Sequence, residues 1–339
     1  MSTTAFALAG LGGFNAHGAG LLAAASKCNV VPDMVTATSG QIIVLAEWLQ
    51  HKDLEKSLVI PELEHSPMAQ FAVALFGDPG VFRPAYPEML ERWLTPPSPK
   101  GDLLEAFFNR LLPAQLYVPT RPAADFSNIA KVFNDNHDIG IVFNAYNLKT
   151  GQAVLFGNRK AQNLWPSEKS NKVATRSVSE FDDPAAELKL LPITAEAVQS
   201  ALWLSLYGFG QLPQPHLIDG AYDRSCIVSE LHKFDRIFVA RPLAKGWLEK
   251  GGPSNWFEVQ DWQTEMWFSA GYKAEVDALN QINGLVRSKK VQDPCYKEVK
   301  LIEIAPKTPA GFFNYFVERK VIYKRAYDLA IEKFCGPEG

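Results

Sequence analysis

The chain has 339 residues, of which 47% are hydrophobic and 21% are charged, and its formal net charge is -3. This composition suits a globular protein with a sizeable core, and the near balance of charge argues against nucleic acid as a partner, since a binder of phosphate backbones needs a basic face. No apolar run reaches the roughly 18 residues of a membrane-spanning helix, and the apolar N-terminal stretch lacks the basic start of a signal peptide, so a cytoplasmic location is expected.

The first 51 residues predict two strand–helix units in succession. Residues 4–9 form a short apolar run that is typical of a buried strand, and residues 33–38 form a second one. Between and after them, residues 16–27 and 42–50 predict helices. Strands that alternate with helices indicate a parallel sheet covered on both faces.

The remaining chain continues this α/β pattern with two additions. Residues from about 52 to 136 predict a mainly helical insertion, and residues from about 253 to 335 a helical C-terminal part. Strands are predicted at 138–145, 153–156, 216–218, 236–240 and 300–304, and a helix at 193–206. We therefore predict a single domain over residues 1–339, with an α/β three-layer fold and a mainly parallel central sheet.

The four cysteines are widely separated and form no Cys-x-x-Cys pair. Zinc sites and dense disulfide frameworks have characteristic close spacings, which are missing here. The sequence therefore predicts reduced thiols at Cys28, Cys226, Cys295 and Cys335. No spacing among the six histidines predicts a metal site either.

Two turns in the first strand–helix units carry candidate chemistry. The loop at residues 10–15 is rich in glycine, which lets several backbone N–H groups point at one anionic group. Residues 37–41 (ATSGQ) lie between the second strand and its helix, where a nucleophile elbow would place Ser39. The N–H of Gly40 then becomes an oxyanion donor.

A third candidate lies much later in the chain. Asp219 and Gly220 follow the strand predicted at 216–218, so Asp219 is expected at the carboxyl edge of the sheet, where sites of open α/β folds gather. With an ordinary pKa of about 4 an aspartate is a weak base. Partial burial would raise that pKa and improve the base.

These three pieces, in this order, resemble the patatin-like phospholipase family. Residues 9–14 (AGLGGF) look like its oxyanion loop, residues 35–40 (VTATSG) like its elbow, and residues 217–222 (LIDGAY) like its aspartate motif. Two further segments, residues 141–156 and 193–201, are similar to a strand pair and a helix of bacterial members.

The resemblance implies a serine acyl hydrolase of the phospholipase A or lipid esterase type. It implies a Ser39–Asp219 dyad without histidine, no metal or organic cofactor, and a lipid or other acyl ester as substrate. The implied oxyanion hole consists of backbone N–H groups of Gly10, Leu11, Gly12, Gly13 and Gly40.

Several positions depart from the family pattern. In the elbow, Ala37 and Gln41 replace the first and last glycines. In the loop, Phe14 stands where the family usually carries Arg or Lys. In the aspartate motif, Ala221 replaces the second glycine, and Ser225 and Ile227 stand near its usual Asn and Pro. Because these positions shape the surroundings of the dyad, a catalytically inactive relative that binds lipid or a protein partner stays an alternative.

Two other interpretations compete for the same residues. The loop is close to a dinucleotide fingerprint, which needs an acidic residue at the end of the second strand, but Asp33 is predicted at its start. A Ser-Asp-His triad with His232 would need an elbow that comes later in the fold, and His232 is interpreted as a surface or helix-end residue.

An aromatic cluster leaves peripheral contact with a membrane open. Aromatic side chains beside a basic helix suit a lipid interface, although packing in the core is the favoured interpretation. The cluster consists of Phe312, Phe313, Tyr315 and Phe316.

Overall fold

The computed structural model describes residues 2–10, 16–58, 75–77, 81–94, 115–165, 190–241, 252–253, 256–291, 296–305 and 319–336. Within these residues the protein is an α/β three-layer structure with a mainly parallel central sheet, as predicted. No described helix is long and apolar enough to cross a membrane.

Seven strands of the described residues form the central sheet, in the order β6-β5-β2-β1-β8-β9, with β7 paired to β5. Strands β1, β2, β5, β8 and β9 are parallel, whereas β6 and β7 run antiparallel to β5. The bounds are β1 Thr4–Leu8, β2 Met34–Ala37, β5 Gly140–Asn147, β6 Gln152–Gly157, β7 Leu217–Asp219, β8 Arg236–Ala240 and β9 Lys300–Ile304.

Helices α1 Ala16–Lys27 and α2 Gln41–Leu49 lie where helices are predicted, as do the strands of the central sheet. The other described helices are α3 Leu54–Leu58, α4 Tyr86–Leu94, α5 Ala123–Asp135, α6 Arg159–Leu164, α7 Ala195–Ala201, α8 Trp256–Arg287 and α9 Arg319–Cys335. The helix predicted at 193–206 is shorter, because after α7 the chain continues into a separate 3₁₀ turn at Ser205–Tyr207.

The region predicted to be a helical insertion also contains strands. Phe82–Pro84 (β3) and Tyr117–Pro119 (β4) form a small antiparallel pair. Each strand has only three residues and ends in proline, which removes a ladder donor, so the sequence gives little sign of them.

Alternating side chains of the central strands build two cores, one on each face of the sheet. From β1, Phe6 and Leu8 point to the face covered by α1, α2 and α9, and Ala5 and Ala7 point to the face covered by α8. Strands buried on both faces read as continuous apolar runs, which is why they were recognisable.

The predicted state of the cysteines is wrong for one pair. Cys28, just after α1, and Cys335, at the end of α9, form a disulfide across 307 positions of sequence. Helix α9 packs against α1, and this brings the two thiols together although nothing in their spacing indicates it. Cys226 is a free, buried thiol, and Cys295 lies outside the described residues.

Candidate active site

Ser39 lies in a sharp turn that joins β2 to α2. Only Thr38, Ser39 and Gly40 separate the two elements, and the N–H of Ile42 already donates to the carbonyl of Ser39. Ser39 has a φ of 56°, in the left-handed region that residues other than glycine seldom adopt. Such a conformation costs roughly 1–3 kcal/mol and is concentrated at functional sites, and it is the geometry expected of a nucleophile elbow.

The hydroxyl of Ser39 donates a hydrogen bond to the carboxylate of Asp219. The distance from Ser39 Oγ to Asp219 Oδ2 is 2.5 Å, and 180 positions of sequence separate the two residues. The other carboxylate oxygen, Oδ1, accepts from the N–H of Ala221 at 2.8 Å. Both oxygens of the carboxylate are thus held, with one directed at the serine.

The strand pairing explains how the two side chains meet. Ala37 at the end of β2 lies opposite Phe143 of β5, and Asp219 at the end of β7 lies opposite Ala145 of the same strand. Residue Ala145 pairs with β6 on its other side, so β2 and β7 share one edge of β5. They run toward each other along that edge and end on either side of Asn144.

Asp219 was expected at the carboxyl edge of the sheet. Its strand, β7, is antiparallel to β5. Asp219 nevertheless lies beside the carboxyl end of β2, because β7 runs toward that end along the same edge of β5.

Burial sets the protonation of the aspartate. Desolvation raises the pKa of Asp219 from 3.8 to about 7, against the opposing effect of its hydrogen bonds from Ser39 and Ala221. Only 1% of Asp219 is exposed. A carboxylate with a pKa near neutrality is a far better general base than an ordinary one.

The predicted oxyanion donors are only partly described. The N–H of Gly40 has no acceptor among the described residues and stands at the start of α2, so it is available to an anionic group. The predicted donors Leu11, Gly12 and Gly13, and the departure at Phe14, lie outside the described residues.

The donor role predicted for Gly10 is not met. Its N–H donates to the carbonyl of Ser225 at 2.7 Å and is therefore occupied. Gly10 instead packs directly on the elbow, since a Cβ at this position would lie 2.6 Å from the Thr38 oxygen and 2.8 Å from Ser39 Cβ. A glycine is required there for space.

Gln41, which replaces the last glycine of the family elbow, is buried beside α1. Its side-chain amide lies 2.9 Å from Nε2 of His17, and the same ring nitrogen lies 2.8 Å from the carbonyl oxygen of Ala9. Burial lowers the pKa of His17 to about 4, against the raising effect of the Ala9 hydrogen bond, so the ring is neutral at neutral pH. The larger residue is thus accommodated by a polar contact.

The structure does not place Asp33 or His232 where the dinucleotide-binding and Ser-Asp-His interpretations need them. Asp33 precedes β2 and accepts a hydrogen bond from the N–H of Thr4, at the opposite edge of the sheet from Ser39. His232 is buried at the end of a 3₁₀ turn, stacks on Tyr296 and contacts the carbonyl of Ser229 through Nδ1. It was expected at the surface or at a helix end, and only the helix-end placement is confirmed.

Sequence reasoning missed the residue that lies between the two candidate catalytic side chains. Asn144 is completely buried in β5 and bonds to Thr38, Gly220 and Arg224. An amide inside the apolar run 140–145 was the available signal, because buried amides persist where all their hydrogen bonds are satisfied.

Comparisons with known proteins add no identification. No protein-family model matches the chain, and no curated protein matches it at a significant level.

Proposed function

We propose that this protein is a serine acyl hydrolase in which Ser39 is the nucleophile and Asp219 the general base. The observation that carries the proposal is the 2.5 Å hydrogen bond from Ser39 Oγ to Asp219 Oδ2. A nucleophile in hydrogen-bond contact with a base, held by further structure, is the arrangement that activates serine.

In the first half of the reaction, ionised Asp219 accepts the hydroxyl proton as Ser39 Oγ attacks the carbonyl carbon of an ester. The N–H of Gly40 stabilises the oxyanion, together with the donors expected from residues 11–13. Loss of one such donor typically lowers the rate by about 10²–10³-fold. Collapse of the tetrahedral intermediate transfers the proton from Asp219 to the leaving alcohol and leaves Ser39 acylated.

In the second half, Asp219 accepts a proton from water, whose oxygen attacks the acyl carbon. The intermediate releases the carboxylic acid, and the proton returns to Ser39 Oγ. The dyad alone moves the proton in both halves, so the proposed reaction requires neither a histidine nor a cofactor.

The proposed substrate class is a lipid or another carboxylic ester, by resemblance to patatin-like phospholipases. The resemblance depends on residues 9–14, 35–40 and 217–222, and the Ser39–Asp219 contact supports it. Peripheral membrane contact through the aromatic cluster at 312–316 stays a prediction, because these residues lie outside the described ones.

The cytoplasmic location predicted from the sequence conflicts with one feature of the fold. Disulfides persist mainly in oxidising compartments and are rare in the cytosol, whereas Cys28 and Cys335 are bonded. The disulfide therefore favours an oxidising compartment for this chain.

The proposal is tested with nitrophenyl esters of several acyl chain lengths. We expect hydrolysis by the wild-type protein and a loss of at least about 10³-fold in kcat for Ser39→Ala, as for other enzymes deprived of their nucleophile. The matched control is Ser200→Ala. Ser200 is a buried serine whose Oγ has no hydrogen-bond partner among the described residues, so its loss should leave kcat unchanged.

Two outcomes would contradict the proposal. Equal hydrolysis by wild type and Ser39→Ala would assign the activity to another group. Absence of hydrolysis by the wild type at every chain length would favour the alternative of an inactive relative that binds lipid or a protein partner.

A further inference from the structure

The end of β2 and the end of β7 are joined through one buried side chain. Asn144 Oδ1 accepts from the hydroxyl of Thr38 at 2.9 Å, and Asn144 Nδ2 donates to the carbonyl of Gly220 at 3.1 Å. Thr38 directly precedes Ser39, and Gly220 directly follows Asp219. The Asn144 side chain therefore connects the immediate neighbours of the nucleophile and the base.

The hydrogen-bonding capacity of this amide is well used. The second N–H of Nδ2 donates to the carbonyl of Arg224 at 2.9 Å, so both amide donors and the oxygen have partners. The side chain is fully buried, and in such surroundings an amide that kept only part of its bonds would be costly. Its orientation is consequently fixed.

The aspartate motif is fitted to the same side chain. A Cβ at position 220 would lie 2.4 Å from Asn144 Cγ and 2.5 Å from Nδ2. Only glycine allows the chain after Asp219 to approach the amide this closely. The Asp219–Gly220 pair is thus shaped by Asn144 as well as by turn geometry.

We infer that Asn144 is a positioning residue, which sets the separation of Ser39 and Asp219 by holding Thr38 and Gly220 on either side of β5. This inference rests on the proposed function for its catalytic meaning. The claim that Asn144 sets the Ser39–Asp219 hydrogen bond does not depend on the proposed function, because it holds whether or not an ester is cleaved.

The Asn144 hydrogen bonds connect two strands, β2 and β7, whose ends face each other. No ladder hydrogen bond joins β2 to β7 among the described strands, since the two pair with different stretches of β5. The side chain that lies between their ends supplies the missing connection. A displacement of about 1 Å between reacting groups can cost roughly 100-fold in rate, so a small relaxation of this connection matters.

The decisive variant is Thr38→Val, because Asn144→Ala removes three buried bonds at once and can abolish folding. Thr38→Val deletes one hydroxyl while keeping the shape of the side chain. We expect kcat to fall by about 10–100-fold with little change in KM. The acid limb of the pH profile should move to higher pH, because the serine hydrogen bond that lowers the pKa of Asp219 is weakened.

Two further variants separate positioning from stability. Thr36→Val, in β2 two residues before Thr38, deletes an equally buried hydroxyl that donates to the carbonyl of Ile227 at 2.8 Å. It should reduce stability to a similar degree and leave kcat and the pH profile unchanged. Thr38→Ser retains the hydroxyl and should restore most of the rate lost in Thr38→Val.

A readout that does not need activity keeps the inference separate from the proposed function. The pKa of Asp219 is measured by ¹³C NMR of the aspartate carboxyls, with the resonance assigned by its absence in Asp219→Asn. A higher pKa in Thr38→Val than in Thr36→Val supports the inference, even if the wild type hydrolyses no ester and the proposed function fails. An unchanged pKa, or a kcat equal to that of Thr36→Val, overturns it.

Discussion

At the scale of single residues, opposing effects decide the behaviour of Asp219. Two hydrogen bonds favour its ionised form and burial disfavours it, and burial dominates, since the pKa rises from 3.8 to about 7. A shift of about three units corresponds to about 4 kcal/mol between the two protonation states. The site therefore gains a better base at the expense of folding stability at neutral and alkaline pH.

Because burying the ionised Asp219 side chain lowers folding stability, Asp219→Asn should be more stable than wild type by an amount that depends on pH. Between pH 4 and pH 7 the folded state binds more protons at this group than the unfolded state does, so the stability it contributes falls as pH rises through that range. The variant lacks this titration. Its advantage over wild type should grow by up to about 4 kcal/mol from pH 4 to pH 8, while the proposed ester hydrolysis should be lost.

Chemical denaturation of both proteins at several pH values measures the difference. Thr36→Val, which changes no titratable group, serves as the control and should differ from wild type by a constant amount. A stability difference between Asp219→Asn and wild type that does not vary with pH would contradict the assigned burial effect.

The sequence indicated Ser39 and Asp219 but not their supporting residues. Each of the two is an ordinary turn residue by itself, and only their order behind a glycine loop made them candidates. The roles of Asn144 and Gln41 depend on contacts between segments far apart in the chain. Asn144 reaches Thr38 across 106 positions and Gly220 across 76, and no local pattern encodes such distances.

At the scale of secondary-structure elements, the site depends on strands whose directions the sequence does not specify. The apolar runs located β1, β2, β5 and β8 because parallel strands are buried on both faces. β7 has only three residues, too few to indicate whether it runs parallel or antiparallel. Its direction follows from pairing with the far end of β5, which is a tertiary property.

The segment after β7 is attached to α8 by buried charges. Arg224 donates to both oxygens of Glu275, at 2.7 and 2.8 Å, and to both oxygens of Glu230, at 2.5 and 2.6 Å. Glu275 also accepts from the N–H of Ser229 at 3.0 Å. Since Asn144 Nδ2 donates to the carbonyl of Arg224, this network is connected to the aspartate motif through Asn144.

Removal of one partner from this network should be costly. We expect Glu275→Ala to lower the free energy of unfolding by about 3–5 kcal/mol, because it leaves buried donors without acceptors. The control is Glu298→Ala, which breaks the exposed pair with Arg287 and should cost less than about 1 kcal/mol. Urea denaturation measures the free energy of unfolding of both variants. Equal losses would show that the buried network contributes no more to stability than an exposed ion pair.

At the scale of the whole molecule, the order of elements was sufficient to predict the architecture. Strand–helix alternation led to an α/β three-layer fold, and the sheet order agrees with it. The packing of α9 on α1 and the disulfide between their ends were not predictable, because they join positions 28 and 335. A disulfide of this kind typically stabilises a protein by about 2–4 kcal/mol, and this one ties the C-terminal helix to the layer that supports the elbow.

Covalent trapping is the sharpest test of the proposal that Ser39 is a nucleophile activated by Asp219. The native protein is treated at pH 8 with an alkyl fluorophosphonate, which loses fluoride when a serine oxygen attacks phosphorus, and the modified peptide is identified by mass spectrometry. We expect one phosphonyl adduct, on Ser39, that is absent in Ser39→Ala and forms far more slowly in Asp219→Asn. A folded wild-type protein that stays unmodified at Ser39, or modification that proceeds equally well in Asp219→Asn, would contradict the proposal.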